Sequence, residues 1–241
     1  MAQAVIAKDA GNRYTVCRMI RRPVGEPEYS EQIVWKGTEI LMKKIIVATG
    51  NEGKMVEIRQ ILQGEDITFS SLKDEGLSDI EIVEDGQTFE ENALIKARKI
   101  AEVTGQMVLA DDSGLEVDAL DKAPGIYSAR YLGEDTPYSV KNQHIIDLLE
   151  GKEGDERSAR FVCVIACAFP DGRSITATGV VEGQIGYEEK GEHGFGYDPI
   201  FYLPERGCTT AELLPEDKNE ISHRGRALRA MYEKMKQEGI L

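Results

Sequence analysis

Positive charge is what this chain most lacks. Its 29 Lys and Arg stand against 43 Asp and Glu, a formal net charge of -14 over 241 residues. Broad, non-specific binding to nucleic acid or to an anionic membrane rests on a surplus of lysine and arginine, so neither is expected of it. Any anionic substrate must instead meet a local cluster of cations, or a metal such as Mg2+ that supplies part of the missing charge. Cysteine is scarce as well: Cys17, Cys163, Cys167 and Cys208 form no CxxC pair. With no apolar secretory h-region near Met1, reduced thiols in a cytoplasmic protein are the expectation. No apolar run reaches the ~20 residues that span a bilayer, and there is neither an internal repeat nor a low-complexity tract. What is present is a globular composition, 41% hydrophobic, sufficient for one large domain or two small ones.

Residues 1–41 differ in texture from the rest. RYTVCRMIRR and EQIVWK predict short strands about the turn-prone RPVGEPEYS, and the only tryptophan, Trp35, lies here. MKKIIVATGN then reads as the natural start of a domain. Two accounts of the extension compete. It is either a small appended β element or upstream sequence ahead of a functional initiator at Met42, and the completeness of residues 42–241 favours the second.

From Met42 onward strands and helices alternate. KKIIVAT predicts a buried strand, and NEGKMVEIRQILQG a helix with Met55, Ile58 and Leu62 on one stripe and Gly64 as its stop. DITFSSL predicts a second strand, followed by an acidic loop through EIVEDG. Thr88 and Glu91 have capping-box spacing at the head of a helix whose buried face is Ala93, Ala97, Ile100 and Ala101. MVLADDSG reads as a strand running into an acidic turn, SVKNQHIIDLLEG as a helix, and a terminal helix begins near Ser222. RFVCVIACAF and RSITATGVVEGQI, divided by PDGR, predict a hairpin, with Cys163 and Cys167 on one strand face as core packing. The alternation predicts an α/β protein with a mixed sheet, because the hairpin excludes a purely parallel one.

Four stretches carry chemistry. ATGNEGK places a small, flexible turn between a strand and a helix, where backbone N–H groups, the helix dipole and Lys54 meet an anion. It is not a Walker A loop, whose early glycine and final Ser or Thr are replaced by Ala48 and Met55. Alone, it reads equally as an ordinary turn capped by Asn51. In LADDSGLEVDAL the adjacent Asp111 and Asp112 suit either a Mg2+ site with one acid able to deprotonate water, or a solvated acidic turn. GEHGFGYDPIF offers Phe195 or Tyr197 to stack on a purine and Asp198 to accept hydrogen bonds, or is a loop anchored by aromatic packing. ISHRGRALRAM puts His223 and Arg224 in a first helical turn, where histidine is more often a surface residue.

TGNEGK, FEENALIKA, ADDSGLEVDAL, APGIYSARY, GFGYDPIF and ISHRGRAL, in this order, resemble the Ham1/RdgB family of inosine triphosphate pyrophosphatases from about Met42 onward. The resemblance implies a homodimer with an elongated mixed α/β fold, two lobes and a cleft. It implies hydrolysis of ITP, dITP, XTP and dXTP to the monophosphate and pyrophosphate with Mg2+. Carried over by motif, Thr49, Gly50, Asn51, Glu52, Gly53 and Lys54 would cradle the triphosphate. Asp112 would be general base and metal ligand, with Ser113 touching substrate. Glu84 would be the second metal carboxylate, in a VEDG run that departs from the family's EETG-like one. Phe195, Gly196, Tyr197 and Asp198 match the nucleotide-binding block, and Lys218, His223 and Arg224 match residues that contact base and phosphate. Lys96, four residues after Asn92, is added from helical spacing as a phosphate helper. The alternatives are a pyrophosphatase of related fold with another base preference, such as the Maf type whose SxSPRR motif is missing, or a nucleotide-binding regulator without turnover.

Overall fold

The structure, a computed structural model, describes residues 4–8, 14–18, 43–65 and 67–241. The chain divides into two units, residues 1–42 and 43–241. In the first, β1 (Ala4–Lys8) pairs antiparallel with β2 (Tyr14–Arg18). The strand expected in RYTVCRMIRR is β2, and β1 was not anticipated. EQIVWK, its preceding turn and Trp35 lie outside the described residues.

The second unit contains β3 (Lys43–Val47), α1 (Glu52–Ile61), β4 (Ile67–Ser71), α2 (Phe89–Thr104), β5 (Val108–Val117), α3 (Tyr138–Leu148), β6 (Ser158–Ala168), β7 (Ser174–Ile185), β8 (Phe201–Leu203), β9 (Cys208–Thr209), α4 (Pro215–Ile221) and α5 (His223–Gln237). The strands form one open seven-stranded sheet in the order β4-β3-β5-β6-β7-β8-β9. β3 runs parallel to β4 and β5, and every later pair is antiparallel, so the sheet is mixed. The PDGR hairpin is present between β6 and β7. β5, β6 and β7 are 10, 11 and 12 residues long, which elongates the sheet.

Period-2 alternation sorts the core. Ile45, Val47, Leu109, Cys163, Ile165 and Cys167 face α1 and α5, while Ile46, Ala48, Val108, Ala110, Val164 and Ala166 face α2, which contributes Ala93, Ala97 and Ile100. Farther along the α1/α5 face, Leu115, Val117, Phe161 and Phe201 make a third cluster with Ile145 of α3 and Leu149 at its C-terminal cap. On that face of β5, only Asp111 and Ser113 stand between Leu109 and Leu115. A polar block thus interrupts the apolar face at mid-strand.

The helix starts follow local chemistry. Asn51 accepts Lys54 N–H at 3.0 Å, Thr88 accepts Glu91 N–H at 3.1 Å, and Ser222 accepts Gly225 N–H at 3.0 Å. The Glu91 carboxylate reaches back to Gln87 N–H instead of Thr88, so the expected box is shifted by one residue. α1 ends at Ile61, three residues before Gly64, which takes φ +90° in the turn that follows.

Candidate active site

The expected acidic turn after MVLADD does not form. β5 continues through Ser113 and Gly114 to Val117, because β6 pairs with it along its whole length, Asp111 opposite Ile165 and Asp112 opposite Val164. Adjacent residues of a strand point to opposite faces. Two neighbouring carboxylates that would repel in a turn therefore point to opposite faces of the sheet and make their direct ion pairs with different cations, although the Lys54 charge beside Asp111 is also felt by Asp112.

On the α1/α5 face, Asp111 is fully enclosed. Its carboxylate accepts from Arg224 Nε at 2.8 Å, Lys54 Nζ at 2.5 Å, Ser113 Oγ at 2.8 Å and the Cys163 thiol at 3.2 Å. Arg224, itself 1% exposed, also donates to Glu57 and, at 3.0 Å, to Ser113 Oγ. Lys218 bridges Glu57 at 2.9 Å and Asp198 at 2.6 Å. Burial opposes the charge of Asp111, yet Arg224 and Lys54 hold its carboxyl well below the usual range. Burial opposes Glu57 in the same way, and Arg224 and Lys218 bring its pKa below the ordinary value.

On the α2 face, Lys96 donates to Asp112 at 2.8 Å and to Glu84 at 2.9 Å. Asn92, one turn before Lys96, fixes the loop that carries Glu84 by accepting Gly86 N–H at 2.9 Å. Burial pushes the Asp112 carboxyl above its usual range, with Lys96 only partly offsetting it. Its Oδ2 is buried and has no hydrogen-bond partner. The environments of these neighbouring acids thus drive their pKa values apart, Asp112 upward through burial and Asp111 downward through Arg224 and Lys54.

Among the described residues no group of three or more His, Cys, Asp or Glu is placed to hold a metal ion by itself. Mg2+ needs no such cage, since it commonly binds through one or two carboxylates with substrate phosphates and water completing the shell. Glu84 and Asp112, two hard oxygen donors converging on one ammonium, with a buried carboxylate oxygen to spare, fit that pattern.

The remaining expected residues fall into two groups. Phe195 is half-buried, close against Gly53, with Lys218 Nζ 5.1 Å and the Arg224 guanidinium 5.6 Å from its ring centre, so it joins the ATGNEGK turn to the cation cluster. Tyr197 instead lies in the core, 4% exposed, its hydroxyl donating to Ser128 O at 2.8 Å. Of the two aromatics considered for stacking on a purine, only Phe195 borders the charged groups. Asp198 is buried and accepts from Phe195 N–H at 2.8 Å and Thr210 Oγ1 at 2.9 Å, shaping the loop around the positive-φ residues Gly194 and Gly196. His223 is buried rather than on the surface, stacked on Phe161 at 4.7 Å, and burial with the adjacent Arg224 charge lowers its pKa well below the usual value.

Glu57 was not anticipated. It sits three residues after Lys54 in α1, and nothing in MVEIRQIL separates it from an exposed helix acid. Cys163, expected as core packing, is buried but also touches Asp111, and its thiol is pushed well above the ordinary value by burial and that neighbouring charge.

The Ham1 family matches residues 45–234. A dITP/XTP pyrophosphatase of Desulforamulus reducens is 51% identical over 191 residues, covering 79% of this chain and 94% of the relative. One of Geobacter sulfurreducens is 48% identical over 200 residues, 83% and 100% of the two chains. Among solved structures, a HAM1 protein from Coxiella burnetii superimposes with TM-score 0.73 at 42% identity, and the Staphylococcus aureus Ham1 protein with 0.73 at 40%; each comparison covers 81% of this chain and 100% of the other.

Proposed function

The chain belongs to the Ham1 family, and from that premise we propose that it hydrolyses non-canonical purine nucleoside triphosphates, dITP and XTP with their ITP and dXTP counterparts, to the monophosphate and pyrophosphate. The observation that carries the mechanism is the split acid pair. Asp112 has a raised pKa and an unpartnered buried oxygen, while Asp111 on the opposite face gathers Lys54 and Arg224.

Asp112 Oδ2 accepts the proton of a water directed at the α-phosphorus, and pyrophosphate leaves. Glu84 and Asp112 would hold Mg2+, which when bound supplies positive charge against the triphosphate and acidifies nearby water. Lys54 approaches the phosphates from the α1 N-terminus, where the backbone N–H groups of Gly50, Glu52 and Gly53 reinforce it, those of Thr49 and Asn51 being bonded to Val47 O and Thr49 Oγ1. Lys54, Lys96 and Lys218 each already face a carboxylate, so the cations of this acidic protein are held in place before the polyanion arrives. A regulator without turnover would have no use for a raised-pKa acid beside the metal carboxylate. The homodimer and cytoplasmic location implied by the resemblance belong to the same proposal. Among the described residues no helix is long and apolar enough to cross a membrane.

Base selectivity follows from the C6 oxygen of hypoxanthine and xanthine, which accepts a hydrogen bond where the adenine amino group cannot. His223, Arg224 or backbone N–H groups would donate to it; the Arg224 guanidinium bonds Asp111, Glu57 and Ser113 through three of its five N–H groups, which leaves two for the base. A buried polar mismatch of this kind discriminates by ~10⁴ or more. Pyrophosphate release measured across ITP, XTP, dITP, ATP and GTP is the direct test. Rates with ATP equal to those with dITP would sink the assignment.

Residues 1–41 lie outside the family match. A protein beginning at Met42 is expected to keep full activity and solubility, since residues 45–234 carry the match. A several-fold drop in pyrophosphate release from that shorter chain would give the extension a part in function.

A further inference from the structure

APGIYSARY adds no side chain to the acid and cation cluster, yet its backbone is tied down repeatedly. Ser128 Oγ accepts Leu115 N–H of β5 at 2.9 Å and donates to Gly125 O at 2.6 Å. The Ser128 carbonyl receives the Tyr197 hydroxyl, and the next carbonyl, Ala129 O, receives Lys141 Nζ at 2.7 Å. Gly114 of β5 is pressed so closely on this loop that any side chain there would collide with Gly125 O and Ser128 Oγ. The loop is therefore seated on the part of β5 that carries Asp112 and Ser113.

The second loop, Gly194–Asp198, is held from the same helix. Asn142 Nδ2 donates to Gly196 O at 3.2 Å and to Glu189 at 2.6 Å. Tyr138, also on α3, meets the Tyr197 ring edge-on at 5.2 Å. Lys141 and Asn142 are consecutive and almost wholly buried, at 0% and 1% exposure. Among the described residues Lys141 makes no ion pair; its ammonium is spent on a main-chain carbonyl, with the Tyr138 ring 4.9 Å away. A buried ammonium with no direct ion pair, its nearest carboxylate influence being Glu134 at a distance, is a costly way to fill space that a methionine would fill as well. Its worth lies in where it puts Ala129 O.

We propose that Lys141 and Asn142 are positioning residues of the pyrophosphatase reaction. From adjacent places on α3 they hold the Gly125–Arg130 and Gly194–Asp198 loops, which Tyr197 joins to each other, and so set Phe195 relative to Ser113 and Asp112. The proposal rests on the reading above that the Phe195 loop borders the nucleotide. Neither side chain touches the reacting phosphorus, so the effect falls on binding of the nucleotide rather than on the chemical step.

Steady-state kinetics with dITP test this on Lys141→Met, Asn142→Leu, Tyr197→Phe and Phe195→Ala. Lys141→Met and Asn142→Leu are each expected to raise KM about 10-fold, the scale of one buried hydrogen bond, with kcat kept within about 3-fold. Tyr197→Phe removes a single hydroxyl from the same network and carries the same expectation should the other two fail to fold. Combining it with Lys141→Met is expected to be less than additive, because both bonds hold neighbouring carbonyls of one loop. Glu189→Gln is expected to leave KM unchanged, since the contact that matters is Asn142 to Gly196. If Phe195→Ala raises KM while Lys141→Met, Asn142→Leu and Tyr197→Phe alter only the unfolding temperature, the positioning role is overturned. If Phe195→Ala also leaves KM unchanged, the nucleotide reading beneath it is overturned too.

Discussion

Asp112→Asn is expected to lower the turnover of dITP about 10²- to 10⁴-fold, the range for losing a positioned general base. Asparagine has the same shape and keeps an oxygen for Lys96, so the 2.8 Å contact and the fold survive. What disappears is the anionic oxygen that lacks a partner and is the proposed proton acceptor. Single-turnover pyrophosphate release, alongside a thermal unfolding curve to show an intact fold, separates loss of chemistry from loss of structure. A rate within a few-fold of the parent would remove Asp112 from its role. Asp111→Asn is not an equivalent change: it leaves the base in place and strips the anion that seats Lys54 and Arg224, so its effect belongs to stability and substrate binding.

Arg224→Met is expected to produce the largest loss of stability. Breaking a buried ion pair by removing one partner costs ~3–5 kcal/mol, because the other charge stays buried without compensation. Here two acids lose their guanidinium at once, Asp111 and Glu57. Lys54 still faces Asp111 and Lys218 still faces Glu57, which places the cost toward the lower end of that range. For a domain of this size it corresponds to a fall of roughly 6–15 °C in Tm. Denaturant unfolding with an unchanged m-value reads it cleanly. Adding Asp111→Asn to Arg224→Met should recover part of the loss, since the second change removes an uncompensated charge. No recovery would mean that Arg224 matters through packing alone.

The elements with short-range causes were legible from the residues. Asn51, Thr88 and Ser222 cap helices as their side-chain chemistry predicts, and the alanine face of α2 is buried against the sheet. The PDGR hairpin needed only β-branched runs and a turn. The misread elements share a different cause. D-D-S-G has turn propensity, and it is drawn into a strand only because β6 lies alongside with a partner for every residue. Once that happens, the assignment of the two acids inverts from a shared site to opposite faces. Glu57, Lys141 and Asn142 look like ordinary polar helix residues, and they acquire meaning only from groups distant in sequence, such as Arg224, Ala129 and Gly196.

By itself the sequence determined the α/β class, the helix caps and the run of motifs, because each depends on side-chain type at local spacing; Lys54 was singled out by its turn, and Asp112 and Lys218 only by the resemblance those motifs carry. Tertiary structure alone decided that the two acids face opposite sides of the sheet, Asp111 paired with Arg224 and Lys54 and Asp112 with Lys96, that Tyr197 belongs to the core while Phe195 borders the cations, and that α3 contacts two loops. Those outcomes depend on burial and on charges brought together from opposite ends of the chain. Burial raises one carboxyl and nearby guanidinium and ammonium groups lower its neighbour, and neither influence can be read from the order of residues.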